Sequence, residues 1–163
     1  VANQRLVEFG IAPRVIFGID ENPVVAYSLA ANVDTDLYTL SLPAGALAFD
    51  GDSIDFEFSG HFVSSAGDTQ ISVLFQGNVL YDTGALTATL LGDFLLRGRI
   101  MRQAVGSLLS WVELQSSALK AAANDAAFGD ASLAGDLVLR ANGLTANDVS
   151  KAMAVVNFRG VQP

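Results

Sequence analysis

The chain has a single histidine, and Glu57, Ser59 and His61 follow one another at spacing two. Acid, hydroxyl and imidazole are the groups of a nucleophilic relay. Such a relay needs its base within hydrogen-bond reach of an exposed nucleophile, with an oxyanion donor opposite. Residues two apart on one strand are about 7 Å apart, and no nucleophile-elbow glycine pattern surrounds Ser59. His61 therefore reads as a surface strand histidine. Asp50, Asp52 and Asp55 form the densest acidic group, with Glu57 just beyond. A Ca²⁺ ion wants six to eight oxygens, but Gly51 breaks the EF-hand spacing and the distal bidentate glutamate is missing. Asp-Gly-Asp ahead of a strand is explained by turn formation alone. Asp55 and Glu57 also fail as a glycosidase pair, because two carboxylates on one strand face flank no cleft by themselves. Trp111 is the only tryptophan, and no Gly-rich phosphate loop is present, since Gly98 and Gly106 fall within or near strands. No catalytic, cofactor-binding or metal-binding residue is assigned. The chain reads as no enzyme.

Charge is distributed unevenly. Residues 15–96 contain no Lys or Arg but eleven acids, and basic charge then arrives as a cluster, Arg97, Arg99 and Arg102. Arg97 and Arg99 take the parity opposite Phe94, Leu96 and Ile100 and so point outward. If that strand neighbours 53–63, they pair across the ladder with Asp55 and Glu57, each exposed pair contributing about 0.2–1 kcal/mol. The net charge of −8 opposes binding to nucleic acid, which needs cationic neutralisation of phosphates, and disfavours an anionic membrane surface. The absence of cysteine removes disulfides, thiol nucleophiles and Cys-ligated metals. No stretch is long and apolar enough for a spanning helix, and no secretory signal is expected from the N-terminus.

The elements that carry these residues alternate with period two. Ile54, Phe56, Phe58 and Phe62 share one parity of 53–63, the signature of a half-buried strand. The same holds for 37–42, 70–76, 94–103, 108–115, 136–141 and 152–159, with a short strand at 78–82 closing a hairpin. Pro43-Ala44-Gly45, Asp50-Gly51-Asp52, Ala66-Gly67-Asp68, Gly77-Asn78, Thr83-Gly84 and Asn142-Gly143 supply the turns between them. Short strands spaced this way imply an all-β, antiparallel sandwich. The Ala-rich segment 116–127 suits one short helix between two strands, although that length is marginal without packing.

Residues 1–35 differ. Pro13 and Pro23 interrupt an alternating run and demote it to an edge or an extended arm. Arg5, Leu6, Phe9, Arg14, Val15, Phe17 and Val24 make that arm too apolar for a solvated tail, so it is expected to dock on a surface, with Arg5 and Arg14 meeting acidic groups. The domain division is an arm over 1–35 and a sandwich over 36–163. With 51% apolar residues and only 16% charged ones, part of the surface is expected to lie between subunits. Leu74, Leu95 and Trp111 are the candidate interface positions.

The run Tyr38-Thr39-Leu40-Ser41-Leu42-Pro43-Ala44-Gly45, followed by Asp50-Gly51-Asp52-Ser53-Ile54, resembles an opening found in small virion proteins of tailed bacteriophages. There a strand ending in Leu-Pro-Ala leads through an Asp-Gly-Asp turn into an alternating strand. Phe75-Gln76-Gly77, Tyr81-Asp82-Thr83-Gly84, Arg97-Gly98-Arg99-Ile100 and the terminal Phe158-Arg159 fit the same pattern, so the resemblance covers about 36–159. It implies a jelly-roll β-sandwich without catalytic residues that decorates a capsid or sits on a neck, fibre or tail. It further implies a homotrimer on the virion exterior, made in the host cytoplasm. The expected partners are the major capsid protein or other virion proteins, with the N-terminal segment tied into the contact. The segment 116–127 departs from that pattern. A receptor- or glycan-binding head on a fibre or tail is the alternative; it would need exposed aromatic loops, where the turns here are mostly Gly, Ala, Asp and Ser.

Overall fold

A computed structural model describes residues 20–22, 26–28, 33–63, 69–85, 92–116, 120–143 and 147–160. These residues form eleven strands in two antiparallel sheets, a β-sandwich, with no helix among them. The strands are β1 (Asp20–Asn22), β2 (Ala26–Tyr27), β3 (Thr35–Leu42), β4 (Ser53–Phe62), β5 (Gln70–Phe75) and β6 (Asn78–Asp82). They continue as β7 (Gly92–Ala104), β8 (Ser107–Ser116), β9 (Lys120–Phe128), β10 (Gly135–Asn142) and β11 (Val149–Arg159). The larger sheet runs β1-β11-β4-β7-β8-β9, with β2 also on β11, and the smaller runs β3-β10-β5-β6. The β5–β6 hairpin lies in one sheet while its flanking strands β4 and β7 pair in the other.

Period-two alternation produces the core directly. Ile54, Phe56, Phe58 and Phe62 of β4 point inward, as do Phe94, Leu96 and Ile100 of β7 and Leu137, Leu139 and Ala141 of β10. Phe58 packs 5.4 Å from both Tyr38 and Phe56 by ring centroid, and Phe62 lies 4.8 Å from Phe94. Two inward positions are glycines directly opposite aromatic rings: Gly98 faces Phe56 and Gly60 faces Phe94 across the β4–β7 ladder. Each ring lies over its glycine and fills the space a side chain would take. Lys151 also points inward, buried, with its ammonium 6.0 Å from the centre of the Tyr38 ring.

One expectation from sequence is corrected. The segment 116–127, expected as a short helix, instead supplies most of β9, which pairs antiparallel with β8 from Gln115↔Lys120 to Leu108↔Phe128. An isolated Ala-rich helix of this length is marginal, whereas the open edge of β8 offers a ladder of backbone partners. Tertiary pairing overrides propensity here. Of residues 1–35, expected to dock on a surface, the described β1 and β2 pair with the otherwise open edge of β11. Ser28 fastens this edge: its N–H donates to the Val149 carbonyl and its hydroxyl accepts from the Val149 N–H. Arg5, Leu6, Phe9, Arg14, Val15, Phe17 and Val24 lie outside the described residues.

Tyr81 gives this core an alkaline limit. Its phenol is buried on β6, and burial, followed by the adjacent Asp82 charge, raises its pKa above 10.0. A folded-state pKa above the unfolded value means stability fully present below pH 10 and lost as pH rises through the folded value. Denaturant midpoints are therefore expected to fall above pH 10 in the native chain, and to fall less in Tyr81→Phe. Equal alkaline loss in both would contradict this assignment.

Candidate functional site

His61 lies on the outward face of β4 and meets Asp93, its register partner on β7, with Nδ1 2.9 Å from Oδ1. Both side chains are solvent-exposed, and Ser59 is simply the next outward residue of the strand. This is a cross-strand surface pair.

The acidic group divides between two structural tasks. Asp52 is buried in the β3–β4 loop and accepts a bond from the Phe49 N–H at 2.9 Å. Asp50 accepts from Arg102 Nε at 2.9 Å, while Arg102 Nη1 donates to the carbonyls of Leu47 and Ala48 at 3.0 and 2.8 Å. Backbone bonds from Gly51 N–H to the Arg102 carbonyl and from Arg102 N–H to the Asp52 carbonyl complete the clasp. The Asp-Gly-Asp turn is thus a lock closed by an arginine, with Asp55 on a different surface. Among the described residues no group of three His, Asp or Glu side chains is placed to hold a metal ion.

Asp55 opens onto the outer face of the larger sheet. Asn157 of β11, Asp55 of β4, Arg99 of β7 and Trp111 of β8 follow one another across four paired strands. Arg99 donates to Asp55 through Nε and through Nη2, the latter at 3.2 Å, and Arg159 reaches the second oxygen of the same carboxylate. One carboxylate therefore lies between two guanidiniums. Its hydrogen bond to Arg99, with the charge attraction behind it, raises the pKa of that arginine further and keeps it cationic. The pair Arg97 with Glu57 is corrected: both are register partners, yet Arg97 donates to Glu113 at 3.2 and 3.3 Å. Glu113 is nearly buried and Glu57 is exposed, so the desolvated carboxylate gains most from the guanidinium.

These pairings give a direct test. A double-mutant cycle on Arg97 and Glu113 is expected to show coupling of about 0.5–1 kcal/mol, whereas one on Arg97 and Glu57 should stay within about 0.3 kcal/mol. Reversing Asp55 should cost more than reversing Arg99, because it removes the shared partner of two cations. Chemical denaturation of the variants measures both, and coupling concentrated on Glu57 would refute the observed geometry.

Around Asp55 the sheet forms a shallow depression of about 620 Å³, lined also by Glu57, Arg97, Gly98 and Arg159, with Trp111 at one side. Trp111 is 39% exposed. The three candidate interface positions do not form one patch: Leu95 and Trp111 belong to this outer face, and Leu74 to the outer face of the smaller sheet. Arg159, Asn157 and Glu113 escaped the sequence reading. Only the pairing of β11 with β4 and of β8 with β7 brings them here, and no local pattern announces that pairing.

A second surface gathers at one end of the sandwich. The β3–β4 loop, the β5–β6 turn, the β7–β8 turn and the β9–β10 connection all lie there, as the strand directions require. Gln76 ties two of them together, donating to the Asp130 and Leu133 carbonyls and accepting from the Asp130 N–H. Asp130 accepts from the hydroxyl and N–H of Ser132; these bonds, with the nearby Arg102 charge, lower its pKa below the ordinary value. Three of these loops expose one large apolar side chain each: Phe49 at 44%, Val105 at 78% and Leu133 at 60%. β1 starts opposite Val156 and runs away from this end. Compared with known proteins, the chain matches no protein-family model and no curated protein sequence.

Proposed function

We propose that this chain is a non-enzymatic structural protein of a tailed-bacteriophage virion, a capsid decoration or cement protein that clamps neighbouring capsid subunits. The observation that carries the reading is the loop end, where Phe49, Val105 and Leu133 project from three separate loops. Apolar side chains held out by hydrogen-bonded loops suit insertion into a protein surface. Asp50 and Asp130 among them favour a partner with a basic rim. The N-terminal segment adds a second tether in this reading. A homotrimer on the capsid exterior multiplies such contacts, so weak individual docking yields high avidity. The resemblance of 36–159 to small phage virion proteins supplies the class of partner, the major capsid protein or another virion protein.

Addition of purified protein to particles made without it tests this reading. The native chain should sediment with the particles. The triple variant Phe49→Ser, Val105→Ser, Leu133→Ser should fold with an unchanged melting transition yet bind at least about tenfold more weakly. Equal binding by the triple variant, or no binding by the native chain, would overturn the proposal.

A further inference from the structure

We propose that Gln76 is the positioning residue of the loop end: its side-chain amide locks the β9–β10 connection over the β5–β6 turn and so presents Leu133 to the partner as a preformed anchor. The inference rests on the reading of the loop end as a docking surface. Gln76 itself need not touch the partner.

Gln76 is an unexpected residue for its place in the chain. β5 and β6 are joined by Gln76 and Gly77 alone, with φ of 50° and 75°. A two-residue hairpin of this kind needs positive φ at both positions, and asparagine, aspartate or glycine is the usual first residue. Glutamine has no such backbone preference. What it adds over asparagine is one methylene of reach, with the same amide at the end.

That reach is used in full. The chain must cross from β9, at the edge of the larger sheet, to β10, inside the smaller one, and residues 129–134 make the crossing. Gln76 Nε2 donates to the carbonyls of Asp130 and Leu133 at 2.7 and 3.2 Å, and Oε1 accepts from the Asp130 N–H at 3.0 Å. Both donor hydrogens and the acceptor are thus spent on one loop, beginning 54 residues away in sequence. The Leu133 N–H closes that loop on itself with a 3.1 Å bond to the Asp130 carbonyl, and buried Ala131 seats it. Two glycines leave room for the amide. A Cβ on Gly135 would lie 2.3 Å from Gln76 Cγ, and one on Gly129 2.6 Å from Oε1.

The result is an apolar side chain on a fixed backbone. Leu133 is 60% exposed although its own carbonyl and N–H are both bonded. A leucine on an unfixed loop would lose chain entropy on docking, whereas a backbone already held has less to lose. Arg102 does the same for Phe49, through the carbonyls of Leu47 and Ala48. The matching partner surface is an apolar pocket that receives Leu133 from a loop of set shape, beside the Asp130 carboxylate.

Gln76→Asn separates the turn from the reach, because asparagine tolerates positive φ at least as well while its amide falls one methylene short. The chain has no cysteine, so Val105→Cys with Leu133→Cys supplies the only two thiols for spin labels. Labels there should give a narrow distance distribution. Gln76→Asn should widen it about twofold or more, with the melting transition lowered by no more than about 5 °C. On particles made without the protein, Gln76→Asn in the otherwise native chain should bind about fivefold more weakly or worse. Gly135→Ala, which pushes the amide aside from the other direction, should show the same loss. In a Leu133→Ser background Gln76→Asn should cost less than about twofold further, because positioning acts through Leu133. A wide distribution with Gln76 in place, an unchanged one in Gln76→Asn, or an equal loss of binding in both backgrounds would overturn the positioning role. Failure of the native chain to bind, with the distances behaving as expected, would overturn the docking reading and the proposal with it.

Discussion

Gly60→Ala is expected to destabilise the sandwich by about 3 kcal/mol, at the upper end of what overpacking a core costs. A Cβ on Gly60 would sit 2.0 Å from the Ser150 carbonyl oxygen and 2.5 Å from the Phe94 ring. The ring could turn, but the carbonyl belongs to β11, whose pairing with β4 closes the larger sheet. Backbone would have to move, and with it the register that carries Asp55 and Asn157. Gly98→Ala should behave similarly, because its Cβ would lie 2.5 Å from both the Phe56 ring and the Trp111 carbonyl oxygen. Trimming the rings separates the two contributions. Phe94→Leu in the Gly60→Ala background should recover only part of the loss, since the carbonyl clash remains. Guanidinium unfolding measures these differences, and a loss below about 1 kcal/mol for Gly60→Ala would contradict the observed packing.

Arg102→Ala is the second large effect, at about 2–3 kcal/mol. The side chain is 12% exposed and makes three separate bonds, one to Asp50 and two to the carbonyls of the β3–β4 loop. Truncation removes a charge-assisted bond and leaves those carbonyls short of a donor, each change costing on the order of 1 kcal/mol or more. Arg102→Lys keeps the charge but lacks the planar fork that reaches carboxylate and carbonyls together, so it should recover less than half of the loss. Limited proteolysis adds an independent readout, because cleavage within 43–52 should accelerate in Arg102→Ala before global unfolding. Unchanged proteolysis together with an unchanged midpoint would show that the clasp does not hold the loop.

What the sequence disclosed follows from the range of the interactions involved. Alternation is local, so β3 to β8, β10 and β11 are legible in the spacing of residues such as Ile54, Phe56 and Phe58. The Arg99–Asp55 contact is legible too, because strongly patterned strands of opposite charge invite pairing. β9 is not: its Ala-rich run carries little alternation, and the open edge of β8 decides its conformation. The edge strands β1 and β2 are concealed by Pro23, which marks a strand break without revealing which edge receives the pieces. Arg159 lies more than a hundred residues from Asp55 in sequence, and only the β11–β4 register joins them. The same register places Asn157 beside Asp55. Arg97 shows a subtler limit, since the ladder offered two acidic neighbours and burial of Glu113, invisible in sequence, selected between them.

Electron cryo-microscopy of the virions proposed to carry this chain is the most direct test of the proposed structural role. The expected result is density for the two-sheet sandwich on the capsid exterior in groups of three. The loops around Phe49, Val105 and Leu133 should face the shell, and the outer face of the larger sheet should face solvent. Purified virions that contain no copy of the chain would contradict the account, as would sandwiches seated with Trp111 against the shell and the loop end free.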